Sequence, residues 1–244
     1  MAKLRSSNIE PSTGTTLTLG ASGDTIAVSS DSVKANTWQD TGGNNLFVSD
    51  GAGTVSSVNA GLAGGGFTLI STNTVTNTTT DTIAFTGMDS TYDEYMFVCN
   101  DLRPTNNNMH WRFQVSTNGG SSYGVACVSA FFNAQHNEAG TYGAVTYEGT
   151  KDLEGQTTYQ AFIIAIGNDA DQTGAGILHI YNPSSTTYVK NYVGRGSTYE
   201  SGDYAGDNYV SGFFNTTSAI NAISFQMDTA NNIQNCVVQM YGVG

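Results

Sequence analysis

One stretch of the sequence has the residue types of a nucleophilic enzyme. In GGSSYG, residues 119–124, Gly120, Ser122 and Gly124 match the G-x-S-x-G pattern, in which a serine attacks an acyl group while a histidine takes its proton. That motif works between a strand and a helix, whereas the following residues, VACVSAFF, predict a β-strand. Of the possible histidine bases, His179 alternates with apolar residues in ILHIY, which is typical of a strand residue. The match therefore does not predict a serine hydrolase.

Two acidic clusters, at residues 148–154 and 168–171, could serve a glycosidase or a calcium site. A glycosidase needs two carboxylates a few ångströms apart across a sugar cleft, and calcium needs about six to eight oxygen ligands. Neither cluster has the spacing of an EF-hand loop, so both are interpreted first as loops between strands, and calcium near Asp169 and Asp171 stays open. Because no P-loop, dinucleotide fingerprint, paired cysteines or His-Glu metal motif occurs, we expect no enzyme activity, no bound metal and no cofactor.

A tyrosine-rich stretch, residues 188–209, is the best candidate for a binding surface. Its rings are interleaved with arginine and aspartate, and aromatic rings beside polar groups can stack on sugars or anchor a protein interface. The candidate glycan contacts are Tyr192, Tyr199, Tyr204 and Tyr209. The alternative is that these tyrosines alternate along strands, pack in the core and reach water only with their hydroxyl groups.

The composition of the chain argues against several classes of partner. Only 11% of the 244 residues are charged, against roughly 25% in an ordinary soluble domain. With 20 acidic and 8 basic residues the net charge is -12, which disfavours nucleic acids and anionic membrane surfaces. No apolar run is long enough for a membrane span, and MAKLRSSNIE lacks the apolar core of a secretory signal. The cysteines, widely spaced among apolar neighbours, are predicted to be buried thiols: Cys99, Cys127 and Cys236.

The first 60 residues differ from the rest of the chain. They contain one Trp, one Phe and no Tyr, and their apolar residues form short runs between Gly, Ser and Asp turns. Such runs cannot form a core alone, so their apolar faces need a partner, which we expect to be neighbouring chains. The predicted subunit-interface residues are Leu17, Leu19, Ile26, Val28, Leu46, Phe47 and Val48. The turn formers around the last three do not fit a calcium pattern, so DTGGNNLFVSDGAGTV is interpreted as turn, strand and turn.

A change of pattern near residue 65 predicts a domain boundary. We assign residues 1–62 to an N-terminal attachment and trimerisation region of short strands and turns, 63–66 to a glycine linker, and 67–244 to a second domain. About nine alternating segments in that domain, without helical periodicity, predict an all-β fold, an antiparallel β-sandwich of jelly-roll type. HWRFQV and GVACVSAFF, separated by Asn118-Gly119-Gly120, predict a hairpin.

Dispersed stretches of the second domain carry a resemblance to a known group of proteins. STYDEYMFVCNDLRP, WRFQVSTNGGSSY, HNEAGTY, DADQTGAGILHIYNPSSTTYVKNY, GFFNTTSAINAISFQM and VVQMYGVG together resemble a C-terminal β domain of virion appendage proteins from marine tailed bacteriophages. The N-terminal GTTLTLGASGDTI and QDTGGNNLFVSDGAGTVSSVNAGL are similar to the segments that join such domains to the particle.

The resemblance implies a structural protein on the surface of a virion, assembled in the host cytoplasm. Fibres of this kind are homotrimers with their N-termini at the particle, where Lys3 and Arg5 are predicted to contact an acidic virion protein. The outer β domain is then expected to reach the host surface and its glycans, without binding nucleic acid or inserting into a membrane. Alternatives are a capsid decoration protein, which the short N-terminal region would also suit, and a carbohydrate depolymerase, for which Glu148 and Asp152 would be the residues to test.

Overall fold

The computed structural model of the chain divides into two units, with the boundary between Gly64 and Gly65. The structure describes residues 37–39, 44–49, 52, 55–58, 66–228 and 232–244. The boundary lies inside the segment 63–66, which was assigned to the linker because of its glycines. Each unit is described below by itself.

All regular elements of the described residues are β-strands, which confirms the all-β prediction. A sequence rich in Thr, Val, Tyr and Phe and punctuated by Gly, Asn and Asp favours this outcome over helices. The strands are β1 (Thr37–Gln39), β2 (Asn45–Ser49), β3 (Val55–Val58), β4 (Phe67–Val75), β5 (Thr82–Thr86), β6 (Glu94–Pro104), β7 (Met109–Ser116), β8 (Cys127–Asn137), β9 (Gly143–Tyr147), β10 (Glu154–Gln156), β11 (Gln160–Ile166), β12 (Gly174–Tyr181), β13 (Lys190–Tyr199), β14 (Tyr204–Phe214), β15 (Ala222–Gln226) and β16 (Ile233–Val243).

The described part of the first unit is a small antiparallel sheet in the order β1-β2-β3. Phe47 pairs with Trp38 across the sheet, and their ring centroids lie 5.6 Å apart. The expectation that no side chain of the same chain covers Phe47 is therefore wrong, because Trp38, nine residues earlier, covers part of its ring. Phe47 nevertheless remains 36% exposed, and the subunit-interface role of Leu46, Phe47 and Val48 stays a prediction.

The second unit consists of a nine-stranded and a four-stranded antiparallel sheet that share one core. The larger sheet has the order β10-β8-β14-β13-β12-β6-β16-β4, with β9 also paired to β8, and the smaller has the order β11-β7-β15-β5. The antiparallel, sandwich-like arrangement matches the prediction, whereas the more specific jelly-roll topology stays a prediction. Thirteen strands replace the nine or so expected, because short strands such as β10 have no clear alternation of their own.

The predicted hairpin around Asn118 is wrong. β7 belongs to the four-stranded sheet, where it pairs with β11 and β15, whereas β8 belongs to the nine-stranded sheet. The connecting loop contains the expected glycine turn, with φ of 72° at Gly119 and 88° at Gly120. It then continues past Gly124 far enough to carry the chain from one sheet to the other, so the turn signal was real but its strands do not pair.

The core between the sheets is aromatic and tightly packed. Phe113 lies at its centre, with its ring centroid 5.2 Å from that of Tyr192 and 6.2 Å from those of Phe162 and Phe214. On β13 the residues facing this core include Gly194 and Gly196, because a Cβ at either position would collide with Phe162 or Ile163 of β11. The predicted burial of all three cysteine thiols is confirmed.

Candidate functional site

A trough on the outer face of the nine-stranded sheet is the best candidate for a binding site. Two adjoining depressions, of about 640 and 540 Å³, share Ala175, Ser197 and Ala205 among their lining residues. These three residues come from neighbouring strands β12, β13 and β14, so the trough crosses the strands instead of following one of them. We use the name trough for this combined depression.

Small side chains form the floor of the trough. Ala175 pairs directly with Ser197, and Ala205 pairs with Tyr199, the next outward residue along β13. Thr198 and Gly206, which follow Ser197 and Ala205 in the chain, face the core, as the two-residue period of a strand requires. Larger residues on either side of this row therefore rise above it as walls.

One wall is a preorganised cluster around Arg195. Its Nε donates to Asp207 Oδ1 at 3.0 Å and its Nη2 donates to Asp207 Oδ2 at 2.8 Å, while its guanidinium lies 5.0 Å from the centre of the Tyr209 ring. The Tyr209 hydroxyl also donates to Asp207, at 2.8 Å, and its ring stacks on Phe132 at 4.6 Å. The hydrogen bonds from Arg195 hold the pKa of Asp207 below its usual value, so this carboxylate stays ionised. The cluster presents the fixed polar groups of Arg195 and Asp207 to the trough.

The opposite end of the trough combines Tyr199 with carboxylates. The Tyr199 hydroxyl donates to Asp203 Oδ1 at 3.3 Å, and Glu138, Asp171 and the exposed ring of His136 line the same end. The negative charge of Asp203 is the main cause that raises the pKa of the Tyr199 hydroxyl, and burial and the charges of Glu138 and Asp171 raise it further. This hydroxyl therefore stays protonated, and because its one proton is directed at Asp203 it meets a ligand as an acceptor.

The structure separates the four predicted tyrosine contacts. Tyr199 lines the trough, whereas Tyr209 does not. Tyr204 is half-buried, with its ring edge-on to Tyr142 at 5.6 Å. Tyr192 is 1% exposed, and its hydroxyl lies 3.0 Å from Cys127 Sγ in the core. The prediction that Tyr192 contacts a glycan is wrong, because it falls on the inner face of β13 while Tyr199 falls on the outer face. For Tyr192 the alternative interpretation, core packing, is the correct one.

The other sequence motifs do not assemble into catalytic geometry. Ser122, the serine of the G-x-S-x-G match, lies in the loop between β7 and β8 and accepts a hydrogen bond from Asn118 Nδ2 at 2.9 Å, with no helix following it. Asp169 and Asp171 lie in the turn between β11 and β12, where the Asp169 carbonyl accepts from the Gln172 backbone. Within the described ranges, no three or more His, Cys, Asp or Glu side chains form a group that could hold a metal ion.

Several predicted residues lie outside the part of the chain that the structure describes: Lys3, Arg5, Leu17, Leu19, Ile26 and Val28. The floor residues of the trough, conversely, were missed by sequence reasoning. Their signal is the occurrence of small residues in GAGIL, GRGST and YAGDN, but it becomes legible only when the register of β12, β13 and β14 is known.

Comparison of the chain with protein-family models, with curated proteins and with solved structures finds no match. Over the described residues, no helix has the length and apolar character needed to cross a bilayer.

Proposed function

We propose that the chain is a non-catalytic structural protein of a bacteriophage particle whose β-sandwich binds a surface glycan in the trough. The observation that carries the binding function is the trough itself, with its floor of small side chains between polar and aromatic walls. The virion role is supported by the sequence resemblance and by the N-terminal region of short strands.

The chemistry of the walls supports a glycan as ligand. Sugars are recognised through hydroxyl groups, which need fixed donors and acceptors, and through apolar ring faces, which pack on aromatic side chains. Arg195, Asp207 and the hydroxyl of Tyr199 supply the first, and the ring of Tyr199 supplies the second. Because the groups of the Arg195 wall already hydrogen-bond one another, little side-chain entropy is lost when a ligand binds them.

A glycan array probed with the full-length chain tests the binding function. We expect binding that falls at least about fivefold in the Tyr199→Ala variant, since removal of a central aromatic contact costs about 1 kcal/mol or more. Tyr188→Ala is the matched control, because Tyr188 is 70% exposed, belongs to the same tyrosine-rich stretch and does not line the trough. Absence of binding to any glycan, or equal loss in both variants, would refute the assignment.

The absence of catalysis is tested separately. Incubation of host polysaccharide with the protein should release no sugar, and the Glu148→Gln and Asp152→Asn variants should behave like the wild type. In the structure the Asp152 carboxylate accepts a hydrogen bond from the Tyr147 hydroxyl at 2.5 Å, outside the trough. Sugar release that either substitution abolishes would identify a depolymerase instead.

The particle role predicts a homotrimer joined through the N-terminal region. Light scattering of the full-length chain should give three times the mass of 25.7 kDa, and a stable monomer would contradict the trimer. A low-resolution map of the virion with this protein labelled would distinguish a tail appendage from the alternative, a decoration protein on the capsid. Density of the label on the head would replace the appendage assignment with that alternative.

A further inference from the structure

The charges around the trough are distributed unevenly. At the wall formed by Arg195, the guanidinium and the Asp207 carboxylate neutralise each other through two hydrogen bonds. At the Tyr199 end, Glu138, Asp171 and Asp203 carry three negative charges, and no Lys, Arg or His of the described residues forms an ion pair with any of them. The trough therefore has one neutral end and one negative end.

Glu138, Asp171 and Asp203 come from the end of β8, the turn before β12 and the turn before β14, and they do not form a group that could hold a metal ion. All three nevertheless line the same end of the trough, where the Tyr199 hydroxyl donates to Asp203 Oδ1 at 3.3 Å. Their charges also raise the pKa of that hydroxyl. A ligand group that rests on Tyr199 lies in the field of the same three carboxylates.

We infer that the trough selects sugars that carry a free, protonated amine over neutral sugars, and neutral sugars over acidic ones. This inference rests on the proposed glycan-binding function and specifies its ligand class. An ammonium group at the Tyr199 end gains three favourable charge interactions and can also approach the face of the Tyr199 ring. A carboxylate or sulfate at the same place meets three like charges, while the Arg195 guanidinium is already engaged by Asp207.

Three oligosaccharides of equal length test this selectivity: a glucosamine hexamer, an N-acetylglucosamine hexamer and a galacturonic acid hexamer. Binding to the full-length chain is measured by calorimetry at about pH 6, where an amine is protonated, at low and at high salt. We expect the order amine, N-acetyl, acid, with the preference for the amine shrinking as salt is added. Equal affinities, or the reverse order, would overturn the inference.

A pair of matched variants separates a local effect from attraction by the whole acidic protein. Asp171→Asn with Asp203→Asn should weaken binding of the glucosamine hexamer about fivefold or more, and by a larger factor than it weakens binding of the N-acetylated hexamer. Asparagine suits position 203, where φ is 62°, because it tolerates the left-handed region as aspartate does. Asp93→Asn with Glu154→Gln makes the same change in net charge away from the trough and should have little effect.

The possible failures can be told apart. If none of the three hexamers binds, both the inference and the proposed glycan function fail for these sugars. If all three bind equally and Tyr199→Ala abolishes binding, the trough binds glycans and only the charge selectivity is wrong. If the control pair weakens glucosamine binding as much as the trough pair, the preference is a property of the net charge and the inference is also wrong.

Discussion

Gly196 should be one of the positions where the β-sandwich tolerates no side chain, and Gly196→Ala tests this. A Cβ at position 196 would lie 2.3 Å from Cγ1 and 2.8 Å from Cδ1 of Ile163, whereas ordinary contacts lie at 3.4–4 Å. Ile163 is fully buried and has no free space into which it could retreat. Either the side chain must leave its rotamer or β11 must move away from β13 by about 1 Å.

The size of the effect follows from two opposing terms. Overpacking of a dense core costs about 1–3 kcal/mol, while replacing glycine by alanine in a strand returns about 0.5–1 kcal/mol of backbone entropy. We therefore expect Gly196→Ala to lower the free energy of unfolding by about 1–2 kcal/mol. With a urea dependence of about 2 kcal/mol per molar, the midpoint should fall by roughly 0.5–1 M.

The assay is urea unfolding followed by tryptophan fluorescence in a Trp38→Phe background. Trp38 and Trp111 are the two tryptophans of the chain, and Trp111 is fully buried in the sandwich, so the signal then reports on this unit alone. Gly149→Ala is the matched control. A Cβ there would meet Tyr147 at 3.7 Å, an ordinary contact, and the stability should change by less than about 0.5 kcal/mol.

A double-mutant cycle decides whether Ile163 is the cause. Ile163→Ala alone should cost about 2–5 kcal/mol, but it removes the atoms with which the new Cβ collides. In that background Gly196→Ala should be neutral or slightly stabilising, which gives a coupling energy of about 1–2 kcal/mol. Additive effects, or a Gly196→Ala variant as stable as the wild type, would refute the packing argument.

Three further predictions concern buried ionisable groups. Folded protein should react slowly with a thiol reagent at pH 8, and unfolded protein quickly. Burial raises the pKa of every thiol, to about 11 for Cys127 and Cys236. Rapid labelling of folded protein would contradict this. Burial raises the pKa of the Glu200 carboxyl in the folded state, so proton binding favours folding and the wild type should lose stability as the pH rises from about 4.5. The Glu200→Gln variant should not show this loss. Parallel urea midpoints of the two proteins across pH 4–7 would disprove the prediction. Lys190→Met should be neutral or stabilising at pH 7. Burial lowers the pKa of the Lys190 ammonium, which donates a hydrogen bond to the Thr216 carbonyl at 3.2 Å. A fall in stability above about 1 kcal/mol would contradict that expectation.

The strands could be predicted from the sequence more readily than their partners. The residues of β13, KNYVGRGSTY, alternate as those of a strand do, but nothing local shows which of its two faces points inward. That choice depends on β11, whose bulky Phe162 and Ile163 require the glycines of β13 on the inner side. Tyr192 therefore enters the core and Tyr199 reaches the trough, although both looked alike in the sequence.

The trough could not have been predicted for a related reason. Its floor combines residues of β12, β13 and β14, and their alignment is fixed by cross-strand pairing instead of by spacing along one segment. Arg195 stood out in the sequence only as a cation among tyrosines, whereas its neutralisation by Asp207 appears once the two strands are paired. The hairpin error around Asn118 has the same origin, since a turn signal specifies local backbone and not the sheet that the next strand joins.

The position of β16 has a consequence for how the protein reaches this structure. β16 lies between β4 and β6, and Val75 of β4 pairs with Cys236 of β16. β4, the first strand of the sandwich, therefore has no place in the sheet until β16, far along the chain, is in position. Pairings of such long range close slowly, because the chain loses the entropy of the large loop before the contacts repay it. During synthesis and refolding, β4 should therefore stay open to wrong partners, including β4 of other molecules. Chaperone dependence and loss of yield at high concentration are the expected marks of this delay.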